Sequence, residues 1–370
     1  MTHHAQSDTE YYSLEALGYN AAFARAREEL AMPEQPPARV LSEAKHRYLV
    51  YGAHTKYSAV LPGNITHAAS QSELPAVGDW VLIETLNEEQ AIIRAILPRT
   101  STLTRRHGTK NQAGDTTQVQ ILAANVDAAF IVGAVDRDFS PNRFERYCAL
   151  VSEGGVRPII VLNKTDLVSA SECASLFTTL TNRFPNVSIL CTSTITEDGL
   201  AQLRAEIEPR NTYCFLGSSG VGKSSLVNTL LDSEDIATRS VSAYSGRGTH
   251  TTTAKHLYVL QGGGIVIDSP GIREVGLTAS SDAIDEYFST LTTHGDSCKF
   301  RDCTHTHEPD CAVRAAQEEG TVDEEQYQNY LQLKAEAEHY AMPEHEKRRH
   351  GRALAKLVRQ VSQVRRHPDA

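Results

Sequence analysis

Nine residues, Gly217 to Ser225 (Gly-Ser-Ser-Gly-Val-Gly-Lys-Ser-Ser), carry the most specific chemistry in the chain. They match the phosphate-loop pattern, in which a Gly-rich turn joins a strand to a helix. The apolar run Tyr213 to Leu216 precedes them and Leu226-Val227 follow, as that context requires. Along Gly217, Ser218, Ser219, Gly220, Val221 and Gly222, the glycines let backbone N–H groups turn inward around phosphate oxygens. Lys223 brings positive charge to the β and γ oxygens, the Ser224 hydroxyl can ligate magnesium, and Ser225 extends the helix N-terminus.

Asn163-Lys164-Thr165-Asp166 ends another apolar run, Arg157 to Leu162. A carboxylate there can accept hydrogen bonds from a guanine ring N–H and amino group, selecting GTP over ATP. On its own the tetrapeptide reads first as a solvated strand-to-helix turn, and it is the phosphate loop that favours base reading. Cys191-Thr192-Ser193, at the end of the next run, can set a backbone N–H against the guanine oxygen. Asp268-Ser269-Pro270-Gly271 follows the apolar run Gly264 to Ile267, so Asp268 can hold magnesium through water and Gly271 can donate its N–H to the γ-phosphate. Between them, Ser245 to Thr253 is rich in Gly and hydroxyls, suited to ordering around magnesium and the γ-phosphate, with Thr251 or Thr252 as the metal-contacting hydroxyl.

Cys298, Cys303, His305 and Cys311 supply the donor set of a closed tetrahedral zinc site, leaving no position for a catalytic water. The expected role is structural. His307 is the alternative imidazole, and the Cys-x-His spacing from Cys303 favours His305. Cys148, Cys173, Cys191 and Cys214 lie in apolar elements and are expected to be buried thiols.

These groups need scaffolding of several kinds. Leu14, Leu17, Phe23 and Leu30 predict a helical extension, which Pro33, Pro36 and Pro37 break into a linker. Short β-rich runs at Arg47 to Tyr51, Tyr57 to Leu61, Asp79 to Leu86 and Ala91 to Ile96 predict an all-β OB-like barrel. From Ala128 apolar strands alternate with helices: Ala128 to Val135, a helix at Asn142 to Val151, Arg157 to Leu162, Ser188 to Thr192, Tyr213 to Leu216, His256 to Leu260 and Gly264 to Ile267. That pattern predicts an α/β domain with a parallel sheet. Helices at Glu324 to Tyr340 and Lys347 to Val364 follow the Cys/His cluster. The expected domains are an extension (1–40), barrel (41–109), α/β nucleotide domain (110–280), small zinc-binding α-helical domain (281–345) and basic helix (346–370).

At 370 residues the chain is long enough for two or three cores, and its net charge of -10 argues against indiscriminate nucleic-acid binding. Charge is nonetheless segregated: from Glu346 onward eight Lys or Arg face two acids, suited to RNA phosphates. No apolar run reaches the ~20 residues of a membrane helix, and the polar start lacks a secretory signal, so a cytoplasmic location is expected.

The order of motifs is unusual for a GTPase, because the base-reading residues come before the phosphate loop. Circular permutation allows this, since domain termini often lie close together. In that order, and with Cys-x4-Cys-x-His-x5-Cys after it and a β-barrel before it, the sequence resembles the ribosome small-subunit-dependent GTPase A family. The resemblance implies a circularly permuted P-loop GTPase that hydrolyses GTP with one structural zinc and magnesium. It also implies a cytoplasmic monomer that associates with the small (30S) subunit and its 16S rRNA late in maturation. Ile272 stands where many GTPases carry a water-orienting Gln, and the resemblance points to His250 as the group that positions the water. The competing readings are a GTP-controlled RNA-binding scaffold, and a metabolite kinase that leaves Asp166, the Cys/His cluster and the basic tail unexplained.

Overall fold

Alternating apolar residues between Pro37 and Ile96 form five strands whose inward faces fill one core. These are β1 (Pro37–Ala44), β2 (Arg47–Tyr51), β3 (Lys56–Val60), β4 (Trp80–Thr85) and β5 (Gln90–Ile96). In the computed structural model, which describes residues 12–44, 47–53, 55–63, 70–109, 116–136, 139–232, 255–268, 279–342 and 346, the chain divides into two compact units. One is residues 1–105 with 121–277 and the other is residues 106–120 with 278–370.

In the first unit, β1 pairs antiparallel with β2 and β2 with β3, β3 runs parallel to β5, and β4 pairs with both β5 and β1. The ring therefore closes into the five-stranded OB-like barrel around Val40, Tyr48, Val50, Val81, Ile83 and Ile93. The stretch after Pro33, expected as a linker, is instead strand from Pro37 onward. Proline is tolerated at a strand's first residue, where no ladder N–H is required. A hairpin of β6 (Thr102–Thr109) and β7 (Thr116–Ala124), not anticipated from the sequence, comes next along the chain, and its residues 106–120 belong to the second unit.

Beyond it run β8 (Ala128–Ala134), α2 (Pro141–Glu153), β9 (Arg157–Asn163), α3 (Ala170–Arg183), β10 (Ser188–Thr192), α4 (Leu200–Ala205), β11 (Thr212–Leu216), α5 (Lys223–Asp232), β12 (Lys255–Val259) and β13 (Ile265–Asp268), while α1 (Ala21–Glu29) lies ahead of the barrel. The strand order is β10-β9-β8-β11-β13-β12. Five of these strands are parallel, and β8 and β11 are buried along their whole length, as a sheet covered on both faces demands. β12 departs from the expected all-parallel sheet: it pairs antiparallel with β13 because only the short turn near Gly263 joins them. β12 also pairs with β1, Ser42 opposite His256, so barrel and sheet share one continuous hydrogen-bonded surface.

Arg39 of β1 sits in the interior at 1% exposure. Its guanidinium donates to Gly78 O at 3.3 Å, Asn125 O at 3.3 Å, Thr212 Oγ1 at 2.7 Å and Leu17 O, and lies 5.6 Å over the Trp80 ring. Burial pulls its pKa down to about 10, against Asp127 and Asp79, so it stays charged at neutral pH.

The second unit holds α6 (Ser281–Tyr287), α7 (Ser289–Gly295), α8 (Ala312–Glu318) and α9 (Glu324–Ala341), packed through Ile284, Phe288, Leu291, Val313, Tyr330 and Leu333. α9 reproduces the expected helix at 324–340, while the expected helix at 347–364 lies outside the described residues. Among the described residues no helix is long and apolar enough to cross a membrane.

Arg39→Lys keeps the charge but loses the planar fork that reaches Gly78 O, Asn125 O, Leu17 O and Thr212 Oγ1 at once. The substitution is expected to lower stability by about 2–4 kcal/mol, read as a fall of several degrees in Tm. An unchanged Tm would show that the fork does not hold these segments together.

Candidate functional site

Three loops converge at the carboxyl ends of β9, β10 and β11, the edge of a parallel sheet where ligands collect. Gly217 leaves β11 at φ +135°, and a Cβ there would stand 2.1 Å from Val132 O. Gly222 has φ +99°, and its Cβ would stand 2.2 Å from Asn163 Nδ2. Only glycine permits both the turn and the close approach. α5 starts at Lys223, leaving Ser219, Gly220, Ser224 and Ser225 exposed around its N-terminus, with Ser218 half-buried and Val221 buried beneath. Lys223 is buried and donates from Nζ to Gly217 O at 2.7 Å and to Ser218 O, which holds its charge at the loop. A cation and a helix N-terminus on one concave loop make an anion site.

Asn163, buried at the end of β9, donates from Nδ2 to Val221 O at 2.9 Å and accepts from Thr192 Oγ1 at 2.9 Å. Thr165 Oγ1 donates to Thr192 O at 3.2 Å. Lys164 adopts the left-handed conformation, φ 63°, and its ammonium lies 3.2 Å from Asp136 Oδ2. Asp166 is exposed and accepts from Ser193 Oγ at 2.5 Å, while Ser193 Oγ accepts from the N–H groups of Ile195 and Thr196. The residues 163–166 and 191–193 and the Gly217 to Ser225 loop are thus one hydrogen-bonded constellation. Asp136 belongs to it and escapes sequence reasoning, because a lone Asp after a strand carries no spacing signal.

Asp268 ends β13, next to β11, and emerges at the same sheet edge, opposite His256. Burial lowers the pKa of His256 while Asp268 opposes the shift. Gly271, the Ser245 to Thr253 loop with His250, Thr251 and Thr252, and Ile272 lie outside the described residues. Cys148 and Cys214 are buried as expected, but Cys173 and Cys191 are half-buried. Burial, with Cys173 beside it, pushes the Cys191 thiol up to about 12, so it stays protonated.

In the second unit, the donor atoms of Cys298, Cys303, His305 and Cys311 all lie within 4.8 Å of one another. His305 Nδ1 stands 3.6 Å from Cys298 Sγ and 3.5 Å from Cys311 Sγ, and the two sulfurs are 3.9 Å apart. Those separations suit the edges of a tetrahedron around an ion with ligand bonds of about 2.0–2.3 Å. The cluster can therefore hold zinc. Tyr327 O–H donates to His305 O at 2.5 Å and anchors the ligand loop to α9. His307 is exposed and instead meets Thr306 Oγ1 at 2.8 Å, so the fourth donor is His305.

A family model described as RsgA GTPase matches residues 96–278. The small ribosomal subunit biogenesis GTPase RsgA of Syntrophotalea carbinolica is 39% identical over 330 residues, 88% of this chain and 89% of that one. A small ribosomal subunit biogenesis GTPase RsgA 1 of Bacteroides thetaiotaomicron is 35% identical over 354 residues, 95% and 97% of the two chains. Among solved structures, YjeQ from Thermotoga maritima superposes with a TM-score of 0.59 at 25% identity, covering 82% of this chain and 98% of its own. YloQ, described as a circularly permuted GTPase, shares the fold with a TM-score of 0.58 at 24% identity, covering 82% and 95%.

Elemental analysis is expected to find one zinc per chain, retained in His307→Ala and lost in Cys311→Ser. The Cys311→Ser variant should also lose helicity in far-UV circular dichroism, because binding a structural zinc is part of the folding free energy of a small domain. Undiminished zinc in Cys311→Ser would dismiss the cluster as the site.

Proposed function

This chain belongs to the RsgA GTPase family, and we propose that it binds and hydrolyses GTP while acting on the small ribosomal subunit late in its maturation. One observation carries the reading: the Asn163–Val221 bond locks a base-reading loop against a phosphate loop. A protein that only bound phosphate would have no use for that clasp.

In this reading Asp166 accepts the guanine ring N–H and amino group, and a backbone N–H within Cys191 to Ser193 meets the guanine oxygen. The backbone from Gly217 to Gly222 cradles the phosphates, and Lys223 neutralises charge on the β and γ oxygens. Ser224, Asp268 through water, and Thr251 or Thr252 would hold magnesium, which would supply positive charge against the phosphate oxygens. Gly271 donates its N–H to the γ-phosphate, and His250 orients the attacking water. The zinc cluster stiffens its unit and takes no part in chemistry. The subunit's 16S rRNA is the proposed contact of the barrel and the basic segment 346–370, and the protein works in the cytoplasm as a monomer. The domain divisions at 40, 109, 280 and 345 belong to the same proposal.

GTP turnover by the purified chain, measured alone, with small subunits and with large subunits, tests the function. Slow intrinsic turnover accelerated by small subunits alone is expected; binding without acceleration would replace this reading with an RNA-binding scaffold. In the same assay His250→Ala is expected to lower the stimulated rate by about 10²-fold, and an unchanged rate would remove it from the mechanism.

Asp166→Asn replaces an acceptor-only carboxylate with a group that also donates. GTP affinity should fall by about 10²-fold and xanthosine triphosphate, with a 2-oxo group, should gain. Unaltered preference between the two nucleotides would mean Asp166 does not read the base.

A further inference from the structure

The Val135 N–H donates to Asn163 O at 3.1 Å, extending the β8–β9 ladder to the last residue of β9. Asp136 therefore leaves β8 beside Lys164. β8 is the strand between β9 and β11, and Asp136 follows its end, with the carboxylate turned to the β9 side where Lys164 sits. Lys164 is half-buried, held in a left-handed conformation that side chains rarely adopt, with its ammonium 3.2 Å from Asp136 Oδ2. Lysine carries an apolar four-carbon stem that covers surface wherever its charged tip is anchored.

We propose that Asp136 is a positioning residue for the nucleoside pocket: by holding the Lys164 ammonium at the end of β8, it lays the lysine stem as an apolar wall beside the base. The inference rests on the GTP reading above. An unanchored stem would sample many rotamers and would have to be ordered at each binding event, weakening affinity without changing which base edge is read. An ion pair this exposed is worth only a few-fold in affinity.

The test uses the full chain, equilibrium titrations with GTP and with inosine triphosphate, which lacks the 2-amino group, and steady-state turnover. Asp136→Asn is expected to raise Kd for both nucleotides by the same factor, about three- to five-fold. KM should rise with it while kcat holds, and Asp136→Glu should recover part of the loss. Lys164→Met keeps an apolar stem and removes the ammonium, so in that background Asp136→Asn is expected to be silent. Unchanged or tighter binding in Asp136→Asn overturns the proposal, as does a loss that persists in the Lys164→Met background. A changed GTP to inosine triphosphate ratio also overturns it, because the carboxylate would then act through Asp166. A wild-type chain that bound no GTP would overturn the underlying reading and this inference together, which distinguishes that failure from a silent Asp136→Asn in a GTP-binding protein.

Discussion

The carboxamide of Asn163 is buried and finds its partners inside the protein. It donates to a carbonyl of the phosphate loop and accepts from Thr192, which makes three loops from three strands interdependent. An orphaned amide at such a place costs about 1–3 kcal/mol, so the loops hold one spacing. The same closeness explains Gly222, where any Cβ would fall on the amide. Lys164, Asp166 and Ser193 take their places from this bracket, and so does the distance between base and phosphates in the proposed nucleotide complex.

Strand neighbours, not chain order, decide such a bracket. β9, β8 and β11 lie side by side although the phosphate loop comes last of the three along the chain. Beginning the domain at a different strand leaves every one of those contacts intact, and the β12 edge pairs with β1 of the barrel. The barrel is thereby part of the sheet that carries the site. Arg39 reinforces the same joint by gathering the amino-terminal turn, the exit of β7 and the start of β11 around one guanidinium.

The acidic balance of the chain does not describe how its cations are used. Arg39 and Arg99 are drawn inside, Arg99 forking onto buried Asp79 with N–O distances of 2.8 and 2.7 Å. Arg183 grips buried Glu145 in the same way at 2.8 and 2.9 Å. A buried pair of this kind does more to specify an arrangement than to stabilise it, and losing one partner is costly. Their places at strand and helix junctions fit that role.

The sequence by itself located the short segments that the proposed chemistry uses. The phosphate loop, the Asn163 to Asp166 tetrapeptide and the Cys/His cluster were legible because each packs its requirement into a few consecutive residues. Most strands were legible too, because burial on one or both faces leaves a period in the apolar residues. β1 was missed because proline masks a strand start, and the β12 direction was missed because a strand's pattern does not encode which way its neighbour runs. Only the tertiary structure selected His305 over His307, since both spacings reach the cluster and only one ring is turned into it. Only it paired Lys164 with Asp136 and Arg39 with Thr212, the latter 173 residues away. Such partners meet because strands pack side by side, and a contact made by packing leaves no spacing in the chain to read.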